Sequence, residues 1–117
     1  MRYYIASGLD NAAQVCELKA VLDARGWEHT YDWTVHGSVQ RDAARLVEVA
    51  DAEIKGVLQA DVIIVLLPGG RGTHTELGAA IAARVPWPTG DDRIVIYSSD
   101  PEKDFGTNGT TCAFYHH

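Results

Sequence analysis

Hydrophobic residues in this chain gather in five short runs, separated by longer segments in which apolar residues recur every three or four positions. The short runs are rich in β-branched and aromatic residues and are too short for helices, which is typical of strands. They lie at residues 2–7, 28–34, 62–67, 93–97 and 111–115. The run at 62–67 is apolar at every position, which predicts a central strand covered on both faces.

Three of the intervening segments have the apolar spacing of amphipathic helices. The first predicted helix has Asn11 as its N-cap and ends at Gly26, since glycine is common just after a helix. The second extends over 38–59, and the third begins at Thr73 or Thr75. Strands and helices therefore alternate along the chain.

This alternation predicts an α/β fold with a flavodoxin-like, Rossmann-like parallel sheet of about five strands, and helices on both of its faces. At 117 residues the chain fits a single domain, 1–117. In the strand order 2-1-3-4-5, the first and third strands are neighbours, and ligands bind beyond their carboxyl ends. We therefore expect a site formed by the segments 7–10 and 68–76.

The net charge and the length of the apolar runs indicate which kinds of molecule the chain is expected to bind. The chain has 10 basic and 16 acidic residues, a net charge of −6, which argues against binding to a nucleic-acid polymer. The aliphatic run at 62–67 is far shorter than the ~20 residues that a membrane span requires. We expect a small-molecule ligand and no membrane association.

The cysteines and the N-terminus bear on localisation. Cys16 and Cys112 have neither the density of a disulfide framework nor metal-ligand spacing, which fits free thiols in a reducing cytoplasm. Cys16 is expected to pack in the first helix as a small hydrophobe. Residues 1–7 pass at once into a strand and lack the apolar core of a secretory signal. These features predict a cytoplasmic protein.

A glycine-rich loop follows the central strand and enters the third helix. Free backbone N–H groups and the positive end of the helix dipole would hold an anion there. The candidate residues for binding a substrate or its phosphate come from this loop and from the end of the first strand. They are Ser7, Gly8, Gly69, Gly70, Arg71, Gly72 and Thr73.

Two features of this loop have alternative interpretations. The glycines fit a tight turn in which Thr73 is the N-cap and Glu76 its capping-box partner. Arg71 fits either a bidentate pair with a phosphate or a solvated side chain at the loop tip. Glu76 is also placed to face a ligand and attack an electrophilic carbon.

The run 61–67, the loop through Glu76 and the first strand around Tyr4 resemble the nucleoside 2-deoxyribosyltransferase family and its nucleotide N-glycosidase relatives, over about residues 2–81. The resemblance implies that Glu76 is the nucleophile that attacks C1′ of the sugar, and that Tyr4 contacts it. It also implies that Glu53, where the family usually has aspartate, acts on the leaving nucleobase.

The loop at 68–76 also resembles the Pro-Gly-Gly-x-Gly-Thr-x-x-Glu signature of the phosphoribohydrolases that release cytokinin bases from nucleoside monophosphates. The Arg-Lys motif of those enzymes is missing here. Both families cleave the bond between a sugar and a nucleobase. The resemblances thus imply a nucleoside or nucleoside 5′-monophosphate as substrate.

Cleavage of an N-glycosidic bond passes through an oxocarbenium-like centre, which a carboxylate under C1′ stabilises. This chemistry requires neither a cofactor nor a metal. Hydrolysis and transfer to a second base both remain open, and the alternative is a non-catalytic nucleotide-binding module in which Glu76 only caps its helix. Because this family type often completes its pocket from a neighbouring subunit, we expect a homodimer or a higher homo-oligomer.

Three residues have a structural interpretation beside the functional one. Tyr4 fits either a hydrogen bond to the nucleophile or a simple core position. Glu53 fits either the site or a solvated helix face, and Trp33 fits either stacking on a base or covering a sheet edge.

Overall fold

The described part of the chain forms one parallel sheet of four strands. A computed structural model describes residues 1–36, 43–83 and 94–98. The strands are β1 (Arg2–Ser7), β2 (Glu28–His29), β3 (Val62–Leu67) and β4 (Ile94–Ser98). All pairings are parallel, in the order β2-β1-β3-β4. The sheet therefore has four strands here rather than about five, and the run predicted at 111–115 lies outside the described residues.

Helices cover both faces of this sheet, as predicted. They are α1 (Ala12–Ala24), α2 (Ala43–Gln59) and α3 (Arg71–Ala83), with 3-10 turns at Leu9–Asn11 and Trp33–His36. The helix α1 packs on one face, and α2 and α3 pack side by side on the other. This arrangement follows from right-handed crossovers on a parallel sheet. None of the helices within these ranges is long and apolar enough to cross a membrane.

The strand β1 lies at the centre of the core, between β2 and β3. Tyr3 and Tyr4 are both fully buried, and they point to opposite faces of the sheet as successive strand residues do. Tyr3 donates to Asp23 of α1 at 2.8 Å, whereas Tyr4 donates to Glu76 of α3. The pairing of β1 with β3 is fixed at both of its ends. The Arg2 amide donates to Asp61 Oδ2 at 2.8 Å, and Ser7 Oγ donates to the Leu66 carbonyl at 2.7 Å.

The strand β2 is shorter than the predicted 28–34. Just after β2, the backbone amide of Thr30 still donates to the Tyr3 carbonyl of β1 at 3.0 Å. The next carbonyl of β1 that faces this edge, that of Ile5, accepts instead from the Trp33 indole N–H at 2.7 Å. A side chain thus takes the place of the strand, and residues 33–36 form a 3-10 turn.

The helix α3 begins earlier than predicted, at Arg71 rather than at Thr73 or Thr75. The His74 amide donates to the Gly70 carbonyl, so Gly70 already accepts a helical hydrogen bond. Thr73 is the third residue of the helix and not its N-cap. The alternative in which Thr73 is the N-cap and Glu76 its capping-box partner is therefore wrong.

The packed face of α1 excludes Cys16. Val15 and Leu22 are buried and Leu18 is partly buried, as the helical spacing predicts. Cys16 lies about 100° around the helix from Val15 and is exposed, so its predicted packing role is wrong. The helix ends at Ala24, and Gly26 follows two residues later with a φ of 81°, which glycine adopts without strain.

Candidate active site

A cavity of about 570 Å³ lies where the predicted site was expected, at the carboxyl ends of β1 and β3. It is bounded by the residues after β1, the N-terminal part of α3 and the part of α2 between Leu46 and Glu53. Eight of the ten predicted site residues line it: Ser7, Gly8, Glu53, Gly69, Gly70, Gly72, Thr73 and Glu76. Tyr4 lies behind the cavity and contacts Glu76, while Arg71 lies outside the lining.

Glu76 is a buried carboxylate, with only 6% of its surface exposed. Its Oε1 accepts a short hydrogen bond from the hydroxyl of Tyr4, which belongs to β1. Its Oε2 faces Gly72, where a Cβ would stand 3.5 Å away. One carboxylate oxygen is thus held by the core, and the other is directed to the side on which the cavity lies.

Burial raises the pKa values of both Glu76 and Tyr4. Loss of solvent raises the pKa of Glu76 from 4.5 to about 7, the hydrogen bond from Tyr4 opposes this rise, and the charge of Glu53 adds to it. Burial and the Glu76 carboxylate raise the pKa of Tyr4 far above 10, so its hydroxyl stays protonated and donates. At neutral pH, Glu76 therefore exchanges readily between its neutral and charged forms.

Glu53 belongs to the cavity and not to a solvated helix face. It is partly buried, and burial raises the pKa of its carboxyl. It lines the same cavity as Glu76, and its charge acts on both Glu76 and Tyr4. The structure therefore brings two carboxyl groups to one cavity.

The glycine loop is shaped by close contacts at its start. The Leu67–Pro68 peptide bond is cis, and Gly69 lies directly under the side chain of Thr73. A Cβ at Gly69 would stand 2.5 Å from Thr73 Cγ2, so a larger residue does not fit. The first-turn N–H groups of an α-helix have no partner inside the helix. Since Gly72 and Thr73 line the cavity, the N-terminus of α3 opens into it.

A polar bridge connects the two loops of the cavity. Asn11 Nδ2 donates to Ser7 Oγ and to the Pro68 carbonyl, both at 3.0 Å. Asn11 stands at the N-cap position of α1, but its side chain makes no capping hydrogen bond. The Ser7 hydroxyl proton is donated to Leu66, so this hydroxyl chiefly holds the cavity edge together.

Arg71 and His74 lie outside the cavity. Both are exposed, and neither belongs to the cavity lining. His74 Nδ1 lies 2.9 Å from the Gly70 carbonyl at the start of its own helix. Arg71 is thus an exposed residue at the first position of α3, between two glycines that line the cavity.

The wall opposite the glycine loop is apolar. Trp33 is held edge-on by its hydrogen bond to Ile5 and lines the cavity with 6% of its surface exposed. Leu46, Val49 and Ala50 of α2 complete this wall. At 17 residues, α2 is about 25 Å long, whereas a six-residue strand spans about 20 Å, so the helix outreaches the sheet.

Sequence reasoning did not anticipate three lining residues, all in α2. Leu9 and Asp10, which also line the cavity, occupy the 3-10 turn after β1 and belong to the expected segment 7–10. The α2 residues Leu46, Val49 and Ala50 share the spacing of an ordinary core face. Only the excess length of the second helical segment could have indicated that they extend past the sheet. In the described ranges, no cluster of three or more His, Cys, Asp or Glu side chains is placed to hold a metal.

Comparison with known proteins identifies a solved structure with a similar fold. No family model matches the chain, and no curated protein matches it in sequence. The structure is similar to that of a CMP N-glycosidase from Clostridium botulinum, BcmB, with a TM-score of 0.51 and 15% sequence identity. The likeness covers 90% of this chain and 93% of that chain. The chain therefore has an α/β fold like that of a nucleotide N-glycosidase.

Proposed function

We propose that the protein cleaves the N-glycosidic bond of a nucleoside or nucleoside 5′-monophosphate, with Glu76 as the nucleophile. The observation that carries this proposal is the Glu76 carboxylate, buried and held on one oxygen by Tyr4 at the edge of a cavity. A volume of about 570 Å³ is within the usual range for small-molecule sites. The fold shared with a CMP N-glycosidase supports the same chemistry.

The two sides of the cavity suit the two halves of such a substrate. The apolar wall of Trp33 and α2 fits a planar base, while the N-terminus of α3 fits the sugar hydroxyls or a phosphate. Between them, Glu76 would lie under C1′. Its Oε2 is the reacting oxygen, since Tyr4 occupies Oε1.

In the proposed first step, Glu76 Oε2 attacks C1′ and the bond from C1′ to the base nitrogen breaks. The electron pair of that bond goes to the base, which takes a proton from the Glu53 carboxyl. A raised pKa keeps more of Glu53 protonated, as this step requires. The product is the free base and a glycosyl ester of Glu76.

In the second step, Glu53 takes a proton from a water molecule, whose oxygen attacks C1′ and releases Glu76. The sugar leaves with retained configuration because C1′ has been inverted twice. If a second base occupies the place of the water, its N–H proton goes to Glu53 and the reaction is a transfer. Both outcomes use the same residues.

The test is to incubate the protein with each common nucleoside and nucleoside monophosphate, with and without an acceptor base. Released bases are measured by chromatography and the glycosyl ester by intact-protein mass spectrometry. We expect Glu76→Gln to lower the rate by more than about 1,000-fold, because an amide is not a nucleophile here. Glu48→Gln, on the exposed part of α2, is the matched control.

Two results would contradict the proposal. One is that every substrate stays intact in the presence of either water or an acceptor base. The other is saturable binding of a nucleotide with no turnover, unaffected by Glu76→Gln, which would identify a binding module instead.

We also propose that the protein acts as a homodimer or a higher homo-oligomer. The part of α2 beside the cavity exposes Val47 to 69% and Leu46 to 41%, and its end exposes Leu58 to 55%. Apolar exposure of this kind on a helix fits a protein interface. Sedimentation at several concentrations should show a dimer or larger species, and a monomer throughout would contradict this proposal.

A further inference from the structure

Gly56 lies in the interior of α2, where glycine costs about 1 kcal/mol of helix stability relative to alanine. A Cβ at this position would stand 2.8 Å from Tyr31 Cβ, and 3.1 and 3.2 Å from two ring carbons of Tyr4. Side-chain atoms in close-packed interiors do not approach so closely. The lack of a side chain therefore lets the backbone of α2 lie directly on both tyrosines.

A hydrogen bond holds the helix in this close position. The Thr30 hydroxyl donates to the Gly56 carbonyl at 2.7 Å, from the segment that follows β2. The same hydroxyl lies 3.3 Å from the Tyr3 carbonyl of β1. Gly56 is thus held against the sheet both by packing and by a polar contact.

This packing contact links the position of Glu53 to that of Glu76. Glu53 precedes Gly56 by three residues, so both lie on the same face of α2. The Tyr4 ring that packs on Gly56 carries the hydroxyl that binds Glu76. The distance between α2 and Tyr4 therefore sets where Glu53 stands relative to Glu76.

We propose that Gly56 is a positioning residue for the reaction, because its contact with the Tyr4 ring fixes the placement of Glu53 against Glu76. This inference rests on the proposed function. A methyl group at position 56 must move α2 outward or turn the Tyr4 ring. The first displaces Glu53, and the second weakens the hydrogen bond to Glu76.

The test compares Gly56→Ala with Gly78→Ala. Gly78 is an interior helix glycine of α3, but nothing lies within 4 Å of its ideal Cβ. Both variants gain the same helix propensity, so only the packing contact differs. Gly78→Ala should keep the wild-type kcat. In Gly56→Ala we expect kcat to fall about tenfold with little change in KM, since misplacement by a fraction of an ångström affects the chemical step.

A second measurement needs no substrate. Glutamate labelled with ¹³C at the carboxyl carbon reports the titration of Glu76 by NMR, with Glu76→Gln to assign the signal. The Tyr4 hydrogen bond lowers the pKa of Glu76, and the charge of Glu53 raises it. In Gly56→Ala, a turned Tyr4 ring should therefore raise the pKa of Glu76 and a displaced Glu53 should lower it, whereas Gly78→Ala should leave it unchanged.

If Gly56→Ala does not fold, Thr30→Val takes its place, since it removes the hydrogen bond to the Gly56 carbonyl without adding bulk. As expected for Gly56→Ala, Thr30→Val should lower kcat and shift the pKa of Glu76. A folded Gly56→Ala or Thr30→Val variant with wild-type kcat and wild-type titration of Glu76 would overturn the inference. Failure of the proposed function is a different result, in which the wild-type protein releases no base.

Discussion

Ionising Glu76 should destabilise the folded protein, and Glu76→Gln measures by how much. In the unfolded chain the carboxyl has its ordinary pKa of 4.5, whereas burial raises the value to about 7 in the folded state. Each pKa unit corresponds to about 1.4 kcal/mol. The difference therefore amounts to about 3 kcal/mol of folding free energy.

The sign follows from which state binds more protons. Between pH 4.5 and about 7, the folded state keeps the proton on Glu76 while the unfolded state has lost it. The free energy of unfolding thus falls as the pH rises through this range. Below the range both states are protonated, and above it the full cost of the buried charge is present. Glutamine cannot ionise, and its amide oxygen still accepts from Tyr4.

The measurement is urea denaturation of the wild type and Glu76→Gln at several pH values from 4 to 8.5. The advantage of Glu76→Gln over the wild type should grow by about 3 kcal/mol across this range. Glu48→Gln, which changes an exposed carboxylate, should run parallel to the wild type. Parallel curves for Glu76→Gln and the wild type would refute the reasoning, because they would mean that burial does not disfavour the charged form.

Three further predictions concern other contacts of the core and the site. Tyr4→Phe removes the hydrogen bond that lowers the pKa of Glu76, so the acidic limb of the kcat/KM profile should move to higher pH; Tyr3→Phe, on the opposite face, should leave it in place. Burial lowers the pKa of His29, whose ring nitrogens make no hydrogen bonds, so protonation of this ring opposes, below pH 6.5, the stability that Glu76 gains as the pH falls. His29→Phe keeps the stacking on Tyr3 and should gain stability relative to the wild type in urea denaturation from pH 7 to pH 4. Asn11→Ala removes the bridge between the two cavity loops and should lower the free energy of unfolding by about 1–2 kcal/mol; an unchanged value would show that the bridge contributes nothing.

The main elements of the fold could be predicted because their patterns allow only one interpretation. An aliphatic run at 62–67 fits a strand covered on both faces, and the strand order then makes β1 its neighbour. That adjacency brings Tyr4 and Glu76 together although 72 positions separate them in the chain. Their contact needed no information beyond the topology and the family resemblance.

Other features depend on contacts that periodicity does not encode. Tyr31 and Trp33 alternate as strand residues do, yet the indole of Trp33 fills the sheet edge and ends β2. From the sequence, Gly56 indicates only a less stable helix, because its close contacts are with Tyr4 and Tyr31, which lie far from it in the chain. Arg71 could face the cavity or the solvent from the sequence alone, and the structure has it exposed at the first position of α3.

The tyrosines at positions 3 and 4 have a consequence for the folding of β1. Each donates its hydroxyl to a carboxylate, one on either face of the sheet. A strand displaced by one residue would keep a tyrosine on each face, but only one of them would stand opposite a carboxylate. The aromatic pair therefore disfavours even the nearest misalignment, and the contacts at the two ends of the strand, from Arg2 to Asp61 and from Ser7 to Leu66, add to this discrimination.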